Sequence, residues 1–216
     1  MQKAFIFDLD GVLINNEHVW ESEKKKIFTE ILGEEKFSRL GSTIGLDINT
    51  IYHKLATLGA TISIEELHDM ASEKALMIYQ DTPITQGIKE LGAELLKHTY
   101  ALGIVSASPK NWMDLVINRL EFKKDISVII SLLERKDLAH KPSPAGYLEA
   151  IRVLHSTPET TIILEDSNTG IASAKAAGAY TIGLKQNLVK GYIQKGADIY
   201  ADTLDEVKSI VLLHKT

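Results

Sequence analysis

Near the start of the chain the apolar run Ala4-Phe5-Ile6-Phe7 ends in Asp8-Leu9-Asp10, and Gly11 follows at once. Four apolar residues are too few for a helix and read as a short buried strand. Side chains alternate along an extended chain, which puts Asp8 and Asp10 on one side with Leu9 opposite. Two carboxylates so placed repel each other and call for a cation or a proton. Two later apolar runs also stop at polar groups, one at Ser106 with Ala107 and Ser108 behind it, the other after Leu164 at Glu165-Asp166-Ser167; between them lies Ala139-His140-Lys141-Pro142-Ser143-Pro144, whose lysine reads as opening a helix held by two prolines. Oxygen ligands without His or Cys suit a hard cation such as Mg²⁺. A lysine, hydroxyls and backbone amides near a helix start suit phosphoryl oxygens. An aspartate can attack phosphorus to form an aspartyl-phosphate. A second acid beside it can protonate the leaving oxygen and then activate water. The chemistry within reach of this set is phosphoryl transfer.

Such groups act together only if the fold brings them to one place. From Thr85 onward helical and strand-like segments alternate. Helices are expected over 85–98, 109–120, 143–155, 168–177 and 204–213, and strands over 100–106, 127–131, 161–164, 180–184 and, weakly, 198–201. Alternation of this kind implies a doubly wound, Rossmann-like α/β core with a parallel sheet and helices on both faces. The C-terminal ends of parallel strands share one edge, where such sheets place their ligands. Residues 16–80 contain no convincing strand and read as helices over about 16–31, 48–58 and 64–79, the last with Ser63 as its N-cap. The expected organisation is a catalytic core of residues 1–15 and 82–216 with a small all-helical cap over 16–81, inserted after the first strand.

The formal charge of −5 argues against a nucleic-acid binder, which would show a basic face. Lys24-Lys25-Lys26 is diluted by Glu21 and Glu23 and reads as a solvated helix face. With no cysteine, disulfides and thiolate chemistry are excluded. Asp8 and Asp10 interrupt the N-terminal apolar run too early for a signal peptide, and no stretch is long enough to span a bilayer. The expected location is the cytoplasm. The seven histidines show no metal-ligand spacing and read as surface or helix-end residues, and Trp20 and Trp112 read as packing residues.

Taken in order, Asp-x-Asp-Gly-Val at Asp8–Val12, then Ser106, Lys141-Pro142-x-Pro144 and Glu165-Asp166-Ser167 resemble the haloacid dehalogenase superfamily. The helical insert after the first motif is similar to the branch that contains β-phosphoglucomutase and sugar-phosphate phosphatases. The resemblance covers essentially the whole chain. It implies that Asp8 is nucleophile and Mg²⁺ ligand, and that Asp10 is general acid/base with its backbone carbonyl on the metal. It further implies that Gly11, Ser106 and the Ala107 amide bind the phosphoryl group, that Lys141 neutralises charge on the nucleophile and phosphate, and that Glu165 and Asp166 hold the metal, directly or through water. The loop Ser42–Asp47 would sense the substrate. Three positions depart from the pattern: Asn15-Asn16-Glu17 where the family often has Asp-Ser-Glu, Leu46-Asp47 where mutases usually have basic residues, and Ala145-Gly146 in place of an acidic residue.

The expected function is therefore a Mg²⁺-dependent phosphohydrolase acting as a monomer on a small phosphorylated metabolite such as a sugar phosphate, with neither nucleic acid nor membrane as partner. A phosphomutase would use the same residues. A phospho-acceptor signalling module of the receiver type is the alternative from another class, but receivers are shorter and lack the insert.

Overall fold

The run Ala4–Phe7 forms β1, with none of its four side chains exposed. A strand apolar at every position must be covered on both faces, and that requirement shapes the molecule. The computed structural model describes residues 2–43, 46 and 48–214. Around β1 lie β2 (Ala101–Ser106), β3 (Ile126–Ser131), β4 (Thr161–Glu165), β5 (Tyr180–Leu184) and β6 (Ile199–Ala201), in one six-stranded sheet of order β3-β2-β1-β4-β5-β6. Every pairing is parallel. The strand order reverses between β1 and β4, where an open α/β sheet leaves a crevice at its carboxyl edge.

Period-two alternation sorts the strand residues onto two cores. Phe5, Phe7, Ile104, Leu164 and Ile182 face α5 (Ile88–Lys97), α6 (Lys110–Ile117) and α9 (Leu204–Leu213). Ala4, Ile6, Val105, Ile130 and Ile163 face α7 (Ala145–Val153) and α8 (Asn168–Ala176). The doubly wound α/β arrangement expected from the alternation is the one observed.

Between β1 and α5 the chain forms α1 (Glu17–Leu32), α2 (Glu34–Phe37), α3 (Ile48–Thr57) and α4 (Ile64–Asp81). These helices carry a third apolar cluster that includes Ile27, Phe28, Ile51, Leu55 and Leu67. Ser63 caps α4 as its sequence suggests: Ser63 Oγ accepts from Glu66 N at 3.1 Å while Glu66 Oε2 accepts from Ser63 N at 2.8 Å. Trp20 and Tyr79 leave that cluster and pack into the sheet's own core, so α1 and α4 are tied to the strands. No helix among the described residues is long and apolar enough to cross a membrane.

Some expected boundaries move. The helix read over 85–98 starts at Ile88, because Thr85 N donates to Leu13 O at 2.9 Å and Gly87 takes a left-handed conformation with φ 99°. The helix read over 143–155 starts at Ala145, which leaves Lys141 in the preceding loop rather than at the helix opening. The short α2 after Gly33 was not legible, since four residues carry no periodicity.

Leu55 is fully buried in the third cluster. Leu55→Ala should cost about 2–5 kcal/mol by lost transfer and cavity formation, read as a lower midpoint in urea-induced unfolding followed by circular dichroism.

Candidate active site

β1 stops at Phe7 because Asp8 begins a tight turn, in which Leu13 N donates to Leu9 O at 2.8 Å. Asp8 N still donates to Leu164 O at 3.0 Å, which holds the first carboxylate beside the end of β4. Glu165 is the last residue of β4 and is completely buried; Asp166 follows and is 5% exposed. The loop after β3 carries Lys141 across the same edge. Its Nζ donates to Asp8 Oδ1 at 2.5 Å, to Glu165 Oε1 at 2.6 Å and to Val105 O at 3.2 Å. One ammonium thus joins three adjacent strands.

Glu165 is fully satisfied. Tyr147 Oη donates to Oε1 at 2.6 Å, and Oε2 accepts from Asp166 N, Ser167 N and Ser167 Oγ at 3.1–3.3 Å. Burial works against a charged Lys141, yet Asp8 and Glu165 hold its pKa well above the usual lysine value. Burial pushes the Asp8 carboxyl well up, with Glu165 and Asp10 adding to the effect and Lys141 opposing it. Burial and the neighbouring Glu165 likewise keep Tyr147 neutral.

Two glycines let the backbone close in on these carboxylates. Gly11 has φ +76°, and a Cβ there would lie 1.8 Å from Asp166 Oδ2. A Cβ on Gly170, in the first turn of α8, would lie 1.9 Å from Glu165 Oε1. Gly11 is also tied down, since its carbonyl accepts from Asn187 Nδ2 at 2.9 Å.

Asp10 is held by a different set of partners. Asn16 Nδ2 and Tyr79 Oη each donate to Oδ1 at 2.6 Å, and Ser108 Oγ donates to Oδ2 at 2.7 Å. Ser106 Oγ reaches Oδ2 at 3.4 Å and accepts from Ser108 N at 3.0 Å. Burial and Asp10 raise the Tyr79 pKa well above the usual phenol value, so the hydroxyl stays a donor. Two neighbouring aspartates are therefore differentiated: Asp8 faces the lysine, and Asp10 faces hydroxyl and amide donors.

Asp8, Glu165 and Asp166 present carboxylate oxygens that all lie within 4.8 Å of one another. A buried, oxygen-only donor set of that size fits a hard divalent cation such as Mg²⁺ and suits softer metals poorly. Asp8, Asp10, Ser106, Ala107, Lys141 and Asp166 all line one cavity of about 190 Å³ between the sheet edge and the helices that follow β1. Ala107 is the most exposed of them.

A model of the haloacid dehalogenase-like hydrolases matches residues 5–184. The chain belongs to that family. Among curated relatives, this hydrolase is 30% identical over 186 residues to validoxylamine A 7'-phosphate phosphatase of Streptomyces hygroscopicus subsp. limoneus, covering 85% of this chain and 86% of the relative. It is 27% identical over 180 residues to hexitol phosphatase B of Escherichia coli (strain K12), covering 81% and 79%. Among solved structures, a HAD hydrolase of family IA, variant 3, from Entamoeba histolytica superposes with a TM-score of 0.74 at 23% identity, covering 95% of each chain.

Every site residue expected in the hydrolase from its strand ends comes to this one edge. Several neighbours had no sequence signal of their own. Tyr79 reaches Asp10 from 69 residues away, and Tyr147 lies six residues beyond Lys141 without belonging to any motif. Ser108, named in the sequence only as following Ser106, makes the shorter bond to Asp10 Oδ2, 2.7 Å against 3.4 Å for Ser106. Trp20 and Trp112 pack as expected, with ring centroids 5.9 Å apart, but both also line the cavity, contrary to a packing role alone. His68 and His140 line it too, against the expectation of surface positions, and His140 Nδ1 is buried without a partner. Of the loop expected to sense substrate, Leu46 lines the cavity, whereas Ile44, Gly45 and Asp47 lie outside the described residues.

Gly11→Ala should cost at least about 1–2 kcal/mol from the left-handed backbone alone, and its methyl group would displace the Asp166 carboxylate. The expected readouts are a lower melting temperature and weaker Mg²⁺ binding by isothermal titration calorimetry.

Proposed function

We propose that this hydrolase is a Mg²⁺-dependent phosphatase of small phosphorylated metabolites that works through an aspartyl-phosphate on Asp8. The observation that carries this reading is the split environment of the two aspartates. Asp8 sits against Lys141 and the carboxylate cluster, whereas Asp10 sits against Tyr79, Asn16 and Ser108 on the same cavity. A nucleophile and a proton carrier need different surroundings, and this pair has them.

In the first step an Asp8 carboxylate oxygen attacks phosphorus and the bond from phosphorus to the alcohol oxygen breaks. The electron pair goes to that oxygen, which takes a proton from the Asp10 carboxyl. In the second step the Asp10 carboxylate takes a proton from water as its oxygen attacks the phosphorus. The bond to Asp8 breaks, releasing inorganic phosphate and restoring both aspartates. Tyr79, Asn16 and Ser108 orient Asp10 between these events. Lys141 and the Ala107 amide bear the phosphoryl charge, with Ser106 and Gly11 shaping the same edge. Mg²⁺ would be held by Asp8, Asp166 and the Asp10 carbonyl, with Glu165, whose oxygens already accept from Lys141, Tyr147 and Ser167, acting through water; it would supply charge neutralisation of the phosphoryl oxygens.

The helices α1–α4 act in this reading as a cap over the cavity, formed by residues 16–81 against a core of residues 1–15 and 82–216. A cap beside the nucleophile excludes bulk water and obstructs large substrates, which favours metabolites. The curated relatives carry phosphatase in their names, which supports hydrolysis as the outcome.

Asp8→Asn should abolish phosphate release from p-nitrophenyl phosphate, with the far-ultraviolet circular dichroism spectrum unchanged; undiminished release would remove the nucleophile from this scheme. Chelation with EDTA should silence the native enzyme, and added Mg²⁺ should restore it.

A further inference from the structure

The two walls of the cavity differ in character. The sheet edge supplies the carboxylates, hydroxyls and Lys141. Facing it are Trp20, Phe28, Ile48, Ile51, Leu67 and Trp112, a wall of aromatic rings and aliphatic chains. Among the described residues, α1–α4 bring three polar side chains to the cavity: Lys24, His68 and Tyr79. Tyr79 offers a ring and no free hydroxyl, because its Oη is engaged by Asp10 Oδ1 at 2.6 Å and by Ser108 Oγ at 2.8 Å. That ring lies 5.4 Å from Trp112, and Lys24 Nζ lies 5.8 Å from the centre of the Trp20 ring.

We propose that the cavity selects phosphate monoesters of apolar or aromatic-ring alcohols over polyol phosphates; this rests on the phosphatase reading above. The sugar phosphate expected from family resemblance would have to bury several hydroxyls against this wall. Each hydroxyl taken from water into an apolar lining without a partner is penalised. On that wall the described residues offer them only Lys24 and His68, the other polar lining (His140, Ser167 and Thr169) standing on the sheet side, and two side chains cannot satisfy four or five hydroxyls. An aromatic alcohol meets the opposite situation: its ring displaces water from the indoles of Trp20 and Trp112 and packs edge or face against them. The Lys24 ammonium over the Trp20 ring is compatible with such a guest, since a cation over an aromatic face is itself favourable.

The test compares benzyl phosphate with sorbitol 6-phosphate in the presence of Mg²⁺. Both are primary alkyl esters, so the intrinsic reactivity of the breaking bond is similar and the ratio reports the organic half. We expect kcat/KM for benzyl phosphate to exceed that for sorbitol 6-phosphate by at least about tenfold. Ile48→Asn places an amide on the apolar wall at a half-buried position and should shrink the ratio severalfold, with circular dichroism checking the fold. If p-nitrophenyl phosphate is hydrolysed but the benzyl ester lacks that advantage, or if Ile48→Asn leaves the ratio unchanged in a folded protein, this selection is overturned and the phosphatase reading stands. If no phosphate is released from any of the three esters, both readings fall.

Discussion

The bridge from Lys141 to Asp8 and Glu165 is the interaction on which the sheet edge depends. Three buried carboxylates, Asp8, Glu165 and Asp166, crowd into one corner, and burying unpaired charge is far costlier than any single packing contact returns. Lys141 neutralises part of that charge and ties the ends of β1, β2 and β4 through one ammonium. Tyr147 and the amides of Asp166 and Ser167 complete the shell of Glu165, which therefore acts as the fixed base for the lysine. One positive charge against three carboxylates still leaves the corner negative. A divalent cation is the natural complement to that excess, and a cation there is in turn what makes a phosphate dianion welcome.

Such a corner requires backbone where side chains would ordinarily stand. Gly11 brings the turn after β1 against Asp166, and Gly170 brings the first turn of α8 against Glu165, each closer than any Cβ permits. Sheet topology supplies the rest. Because β1 is central and its neighbours β2 and β4 run parallel to it, three strand ends meet at the point where strand order reverses. The geometry of this corner is the consequence of strand order, two glycines and one lysine.

How much of this was legible before the fold is a matter of range. The alternation of strands and helices from Thr85 onward, the capping of α4 by Ser63 and the strand ends bearing Asp8, Ser106, Glu165 and Asp166 are local signals, readable within a few residues. Lys141 was readable as a member of a set, while its place in a loop was not, because proline-rich stretches mimic helix starts. Tyr79 and Tyr147 were invisible as site residues: each is an aromatic at helical spacing, and only tertiary packing turns a hydroxyl of that kind toward a carboxylate. Trp20 and Trp112 illustrate the same limit, since a ring that packs on one side and borders a cavity on the other has one signature in sequence.

The position of Tyr79 joins the chemistry to recognition. It sits near the end of α4, where the helices that wall the cavity return to the sheet, and its ring packs against Trp20 and Trp112. Its hydroxyl holds Asp10, and burial keeps that hydroxyl protonated so that it can only donate to the carboxylate. Any movement of α4 relative to the sheet must therefore either carry Asp10 with it or break the 2.6 Å hydrogen bond from Tyr79 Oη to Asp10 Oδ1. The same aromatic residue that shapes the apolar wall thus constrains the carboxyl group of Asp10. Tyr79 links the ring cluster of Trp20 and Trp112 to the Asp10 carboxyl group through a single side chain.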